Sequence, residues 1–229
     1  MDFVRMENCR KLIAYAAPMA LFLALLALVS LLRQLGQTFW LASAEYWVYP
    51  LQTILCGALV AMFWRDYELR RPARLIFGLI VGVAVFALWI APQSAFGFPP
   101  RLEGFNPSQF SGQPLLYDAT VGMRFQRLVV VVPLVEEIFW RGFLLRFLIR
   151  EDFEQVPFGT FSVFSFITVS VIFGFSHSRP DWLVAVITGA IYNLVAWRTR
   201  SLSTCVFTHA TTNLLLGIWI MKTGQWGFW

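Results

Sequence analysis

Long apolar runs separated by short polar stretches dominate the pattern along the chain. The first of them, residues 12–32, contains no charged residue. A helix of about 20 apolar residues is needed to cross the ~30 Å hydrocarbon core of a bilayer. Because about seven runs approach this length, we predict an all-α fold, a polytopic membrane bundle of about seven transmembrane helices. The predicted spans are 12–32, 47–64, 75–91, 128–149, 158–176, 182–197 and 202–221.

The segment 92–127 differs from these runs because prolines and glycines interrupt it, including Pro99-Pro100 and Asn106-Pro107. Such clusters are typical of loops, so we predict an irregular extramembrane loop here. Otherwise we expect one integral membrane domain over residues 1–229, with its functional core in residues 128–221.

Composition supports the membrane interpretation. Hydrophobic residues make up 58% of the chain and charged residues 14%, against roughly 45–50% and about 25% in soluble domains. A net charge of +5 is compatible with nucleic-acid binding, but cytoplasmic loops of membrane proteins also retain Lys and Arg. No polar segment carries a basic stripe, so we expect membrane lipid as a partner and no nucleic acid.

The distribution of Lys and Arg predicts the orientation. With a cytoplasmic N-terminus, eleven of these residues fall inside and six outside, which is the favoured bias. The N-terminus is therefore expected on the cytoplasmic side of the membrane. The inside set is Arg5, Arg10, Lys11, Arg65, Arg70, Arg71, Arg74, Arg146, Arg150, Arg198 and Arg200. The outside set is Arg33, Arg101, Arg124, Arg127, Arg179 and Lys222.

The three cysteines, Cys9, Cys56 and Cys205, are far apart and form no CxxC pair. They do not indicate a metal or redox site, and we interpret them as small apolar fillers.

Ionisable side chains within the predicted spans indicate where the chemistry lies, because such groups are costly in hydrocarbon and usually serve a function. They occur in the fourth, fifth and seventh spans and include both histidines of the chain. The residues are Glu136, Glu137, Arg141, His177, His209 and Asn213.

Helical spacing separates the roles of the two glutamates. Glu137 and Arg141 are four residues apart, so they lie on one face and can pair. Glu136 is rotated by about 100° from that pair and is the carboxylate left free for chemistry. His209 and Asn213 are also four apart and can converge on one point.

These side chains suit peptide hydrolysis within the membrane. A water between Glu136 and His177 can lose a proton to the carboxylate and attack a carbonyl. His209 and Asn213 can then donate hydrogen bonds to the oxyanion. No cofactor is required by this scheme. Glu137 and Arg141 are expected to support the site by positioning the helix.

The sequence resembles the CAAX protease and bacteriocin-processing family, the intramembrane glutamate proteases related to type II CAAX prenyl endopeptidases. It also looks similar to the bacterial subgroup, called CAAX protease-related, that accompanies exosortase sorting systems. This similarity implies a bacterial inner (cytoplasmic) membrane. The family motifs EExxxR, FxxxH and HxxxN are met by Glu136-Glu137 with Arg141, Phe173 with His177, and His209 with Asn213.

The resemblance implies an endopeptidase in a helical bundle with a conical cavity. It implies that Glu136 and His177 activate water, with His209 and Asn213 as the oxyanion site. The implied substrate is a membrane-associated protein or peptide, such as a lipidated protein or one with a C-terminal sorting segment.

Three alternatives remain open at this point. Glu136, His177 and His209 could ligate zinc, with a water as the fourth ligand. The chain could instead be a non-catalytic scaffold or immunity protein of the same fold. A proton-coupled transporter is the third, since intramembrane carboxylates and histidines also form proton relays.

The side of substrate entry follows from combining the orientation with the motifs. With the N-terminus inside, the fourth span runs inward, and His177 adjoins the polar turn 178–181 on the outer side. We therefore expect a cavity that opens to the extracytoplasmic face.

Overall fold

A computed structural model describes the backbone of residues 2–229 and the side chains from Arg10 onward. Every regular element in this part of the chain is a helix, so the all-α prediction is confirmed. Cys56 and Cys205 are free and buried, in agreement with their interpretation as fillers. The side chains of Arg5 and Cys9 lie outside the described residues.

Ten α-helical segments follow one another along the described chain. They are α1 (Asp2–Gln34), α2 (Phe39–Ala42), α3 (Glu45–Met62), α4 (Leu75–Ala95), α5 (Pro114–Gln126), α6 (Val132–Glu137), α7 (Leu145–Phe147), α8 (Val163–Phe175), α9 (Trp182–Thr199) and α10 (Leu202–Thr223).

Within the part of the chain that the structure describes, four helical segments are long and apolar enough to cross a membrane. They are Arg10–Gln34, Leu75–Ala95, Arg179–Thr199 and Leu202–Thr223. The count of seven spans is therefore not confirmed.

Two of the other predicted spans differ from a simple membrane helix. Helix α8 is apolar but has only 13 residues, about 20 Å at ~1.5 Å per residue, which is less than the hydrocarbon thickness. Helix α3 carries polar residues inside the bundle, where the Gln52 side-chain amide donates to the Phe22 carbonyl at 2.6 Å.

The prediction of an irregular loop over 92–127 is wrong for its second half. Helix α4 continues to Ala95, and α5 begins at Pro114. A proline is favourable at the first helical position because its missing N–H has no partner to lose there. No further proline occurs before the end of α5, so the helix can propagate. The irregular chain is confined mainly to residues 96–106.

Helices α5, α6 and α7 form one continuous helix from Pro114 to Phe147, because two π-helical segments join them. These segments are Arg127–Val131 and Ile138–Leu144. π-helical turns are rare and often occur at functional sites. They bracket the Glu136-Glu137 pair and change which residues of this helix share a face.

Small residues allow the closest helix contacts. A Cβ atom added at Gly189 of α9 would lie 3.1 Å from the Ser170 backbone of α8. One added at Gly82 of α4 would lie 2.8 Å from the Thr208 carbonyl of α10. Glycine at these positions lets the backbones approach, as is common between membrane helices.

Polar contacts tie segments together at the two ends of the bundle. At one end, Arg10 pairs with Asp66 at 3.1 Å. At the other, the Arg101 guanidinium binds both carboxylate oxygens of Asp181, at 2.6 and 2.9 Å. The Gly227 N–H also donates to the Arg101 carbonyl there. The loop after α4, the turn 178–181 and the C-terminal segment thus lie together.

Candidate active site

One cavity of about 360 Å³ contains the predicted catalytic side chains. Glu136, His177, His209 and Asn213 all line it, although they come from three separate helical regions. Glu137 and Arg141 lie behind its wall and are fully buried. The structure therefore brings the four predicted catalytic residues together and places the two supporting residues beneath them.

Glu136 is the carboxylate that faces the cavity. It is 9% exposed, whereas Glu137, the next residue of α6, is 0% exposed. The Oε2 atom of Glu136 has no hydrogen-bond partner among the described residues. This difference agrees with the rotation of about 100° between neighbouring helical residues. A water in the cavity can reach Glu136 and not Glu137.

Arg141 anchors the catalytic helix to α9. Its Nη1 pairs with Glu137 Oε1 at 3.0 Å, so the expected ion pair is present. Its Nε donates to Asn193 Oδ1 at 3.1 Å, and its Nη2 donates to the Gly189 carbonyl at 3.2 Å. The sequence motifs do not include Asn193. Its signal in the sequence is that it is a lone asparagine in an apolar helix, which is typical of a residue that binds a polar group on another helix.

His209 is held by the same glutamate. Its Nδ1 lies 2.9 Å from Glu137 Oε1. A carboxylate oxygen only accepts, so Nδ1 carries the hydrogen and Nε2 remains for the cavity. Glu137 therefore bridges Arg141 and His209. The four-residue spacing in the sequence predicts the contact with Arg141 but not the contact with His209.

His177 is oriented by the end of α8. Its Nδ1 lies 2.8 Å from the Phe173 carbonyl, one of the carbonyls left without a backbone partner at a helix C-terminus. A carbonyl only accepts, so Nδ1 carries the hydrogen and Nε2 presents a lone pair. The Trp89 ring packs beside the imidazole, with centroids 5.6 Å apart. The four-residue spacing of Phe173 and His177 thus fixes the tautomer of the histidine.

Asn213 is fixed by a backbone group of the catalytic helix. Its Nδ2 donates to the Leu128 carbonyl at 2.9 Å, within the first π-helical segment. A side-chain amide has two N–H donors, so one remains available to a group in the cavity.

Two arginines that the charge count assigned to an outside loop line the same cavity. Arg124 is 4% and Arg127 is 7% exposed, so their placement in an exposed loop is wrong. The reason is the continuous helix, which carries both residues into the bundle. Aromatic rings pack against both guanidinium groups. The Tyr49 ring centroid lies 4.8 Å from the Arg124 guanidinium and 4.5 Å from the Arg127 guanidinium.

The described side chains are not arranged as the zinc alternative requires. Among the side chains from residue 10 onward, no three His, Cys, Asp or Glu residues are grouped so that they could hold a metal ion.

Comparison with known proteins identifies this region. Residues 118–215 match the family model described as type II CAAX prenyl endopeptidase Rce1-like. The matched region covers 98 of the 229 residues. The match includes all three motifs, so the family prediction is confirmed. No curated protein and no solved structure matches the chain.

The family match and the apolar helices lead to the same general conclusion. Four helices are long and apolar enough to span a bilayer, and the matched family is one of membrane peptidases. These findings support an integral membrane protein that contains a region similar to type II CAAX prenyl endopeptidases.

Proposed function

We propose that the protein is an intramembrane endopeptidase. In this proposal it hydrolyses a peptide bond near the end of a membrane-associated protein or peptide, using a water activated by Glu136 and His177. The observation that carries the proposal is the common cavity, in which Glu136 Oε2 lacks a partner and four chemically suitable side chains meet.

The first step is attack by water on the peptide carbonyl. One hydrogen of the water is directed to the Glu136 carboxylate, and the other is directed to His177 Nε2. Glu136 removes a proton as the water oxygen bonds to the carbonyl carbon. The carboxyl group then returns this proton to the leaving amine as the carbon–nitrogen bond breaks. The proton balance closes without a cofactor.

The oxyanion formed in this step needs donors. Asn213 supplies its second amide N–H. His209 Nε2 donates when both ring nitrogens carry hydrogen, and the Glu137 carboxylate at 2.9 Å compensates the positive charge of that form. Glu137 thus acts through His209, in addition to its contact with Arg141.

The accessible side of the cavity suggests the class of substrate. Ser178, Asp181 and Gly227, from the end that the charge count places outside, line the cavity. We therefore propose a cytoplasmic N-terminus in the bacterial inner membrane, and entry of substrate from the extracytoplasmic face. Exported proteins that carry a lipid or a C-terminal sorting segment suit this geometry.

A comparison of protein termini in membranes tests the function directly. Cells with the wild-type protein are compared with cells that carry Glu136→Gln, and Glu151→Gln provides a matched control at an exposed glutamate. We expect at least one protein whose new terminus disappears only with Glu136→Gln. A scaffold or a proton-coupled transporter would leave the termini the same in all three strains.

A further inference from the structure

Arg124 and Arg127 are buried cations without a carboxylate partner. The other deeply buried arginines are paired, Arg141 with Glu137 and Arg146 with Glu68. Neither Arg124 nor Arg127 forms an ion pair with the described side chains. A buried charge is normally paired, so the two residues together are an exception within this bundle.

Their hydrogen bonds are also incomplete. Nε and Nη1 of Arg124 have no partner among the described residues. Arg127 uses Nε to donate to Gln52 Oε1 at 2.7 Å, and its two terminal nitrogens form no hydrogen bond with the described side chains. The two Arg124 atoms are buried, so the donors that remain for a ligand in the cavity are Nη2 of Arg124 and the terminal nitrogens of Arg127.

Aromatic rings enclose both guanidinium groups without neutralising them. Arg124 lies 4.8 Å from the Phe105 centroid and 5.3 Å from that of Trp229. Arg127 lies 5.1 Å from the Phe22 centroid. Such rings attract a cation and hold its plane in place, but they accept no strong hydrogen bonds from it. The cations are oriented, and no carboxylate lies within ion-pair distance of either guanidinium among the described side chains. Glu136 and Glu45 act on them only at longer range.

The two arginines are continuous with the proposed catalytic centre. They line the same cavity as Glu136. Arg127 and Glu136 also belong to one unbroken helix and are nine residues apart in the sequence. One extended peptide in the cavity can therefore contact both.

We propose that Arg124 and Arg127 form a subsite that binds a carboxylate of the peptide substrate and positions the peptide against Glu136. This inference rests on the proposed peptidase function. Planar guanidinium groups match carboxylates through paired hydrogen bonds. The small exposed fractions of both arginines suit a compact planar anion better than the bulky phosphate of a lipid headgroup. Either a free C-terminus or an acidic side chain supplies this chemistry.

Peptide retention on the purified protein tests the subsite. Glu136→Gln protein is immobilised in detergent, so that bound peptides are not cleaved. It receives three pools of apolar pentapeptides: one with free C-termini and no acidic residue, one amidated, and one amidated with a single internal Glu. We expect at least tenfold stronger retention of one or both carboxylate pools than of the amidated neutral pool. The pool retained identifies the source of the carboxylate.

Variants of the arginines provide the second arm. Arg124→Gln and Arg127→Gln, each added to Glu136→Gln, should abolish the preference, whereas Arg71→Gln at an exposed position should preserve it. If an arginine variant fails to fold, the three peptide pools can still be compared on Glu136→Gln protein with both arginines intact, and this comparison tests the proposal by itself. Equal retention of all pools, including no retention of any, overturns the proposal. Arginine-dependent binding of phosphatidylglycerol with no preference among the pools overturns it in favour of a lipid site.

This outcome is separable from that of the catalytic proposal, because binding is measured without cleavage. A carboxylate preference together with unchanged protein termini in the Glu136→Gln strain would support the subsite and contradict the peptidase.

Discussion

Replacing Arg141 with alanine should destabilise the protein severely. The side chain is 0% exposed and donates to Glu137, Asn193 and the Gly189 carbonyl. Its removal leaves the Glu137 carboxylate buried without its cationic partner, and it leaves a cavity between the catalytic helix and α9.

The expected magnitude follows from this burial. Removing one partner of a buried ion pair costs about 3–5 kcal/mol in water-soluble proteins. For a chain of this size, each kcal/mol lowers Tm by roughly 2–4 °C, so Arg141→Ala should lower Tm by about 6–20 °C. The double variant Glu137→Gln/Arg141→Met should be less destabilised than the sum of the single changes, since neither residue is then left as an unpaired charge.

The assay is thermal unfolding of the purified protein in one detergent. Arg150→Ala serves as the matched control, because Arg150 is exposed beyond the end of α7 and has no ion pair among the described side chains. The control should melt like the wild-type protein. Wild-type melting of Arg141→Ala would refute the reasoning and would show that the three contacts do not stabilise the bundle.

Three further predictions concern the site and its orientation. Asn213→Ala should lower kcat about 100-fold on an identified substrate, as expected for loss of one oxyanion donor, and an unchanged kcat would exclude that role. In a cysteine-free variant tested in intact cells, Ser178→Cys should react with an impermeant thiol reagent and Arg150→Cys should not. The opposite labelling would show that the orientation is reversed. Extended dialysis against a chelator should leave turnover unchanged, whereas loss of activity that zinc restores would favour the zinc-dependent alternative.

Local spacing was sufficient to predict much of the candidate site. The positions of Glu137 and Arg141, four residues apart on one helix, predicted their ion pair and left Glu136 on another face. The structure contains this pair and exposes Glu136 to the cavity. Such features depend on one helix alone, which is why a pattern in the sequence can predict them.

Features that depend on packing between distant segments were not predictable. Glu137 and His209 are 72 residues apart, and their hydrogen bond depends on how α6 meets α10. The burial of Arg124 and Arg127 depends on the continuous helix and on rings from other segments. The π-helical segments also escape a search for a period of 3.6, because each changes that period for only a few residues.

The measurement that tests the central claim most directly is the turnover of purified Glu136→Gln on an identified substrate, with its melting recorded in parallel. The account predicts no detectable cleavage together with wild-type melting, because the substitution removes the proton acceptor and almost no volume. Near-normal turnover by a folded Glu136→Gln protein would contradict the assignment of Glu136 as the general base.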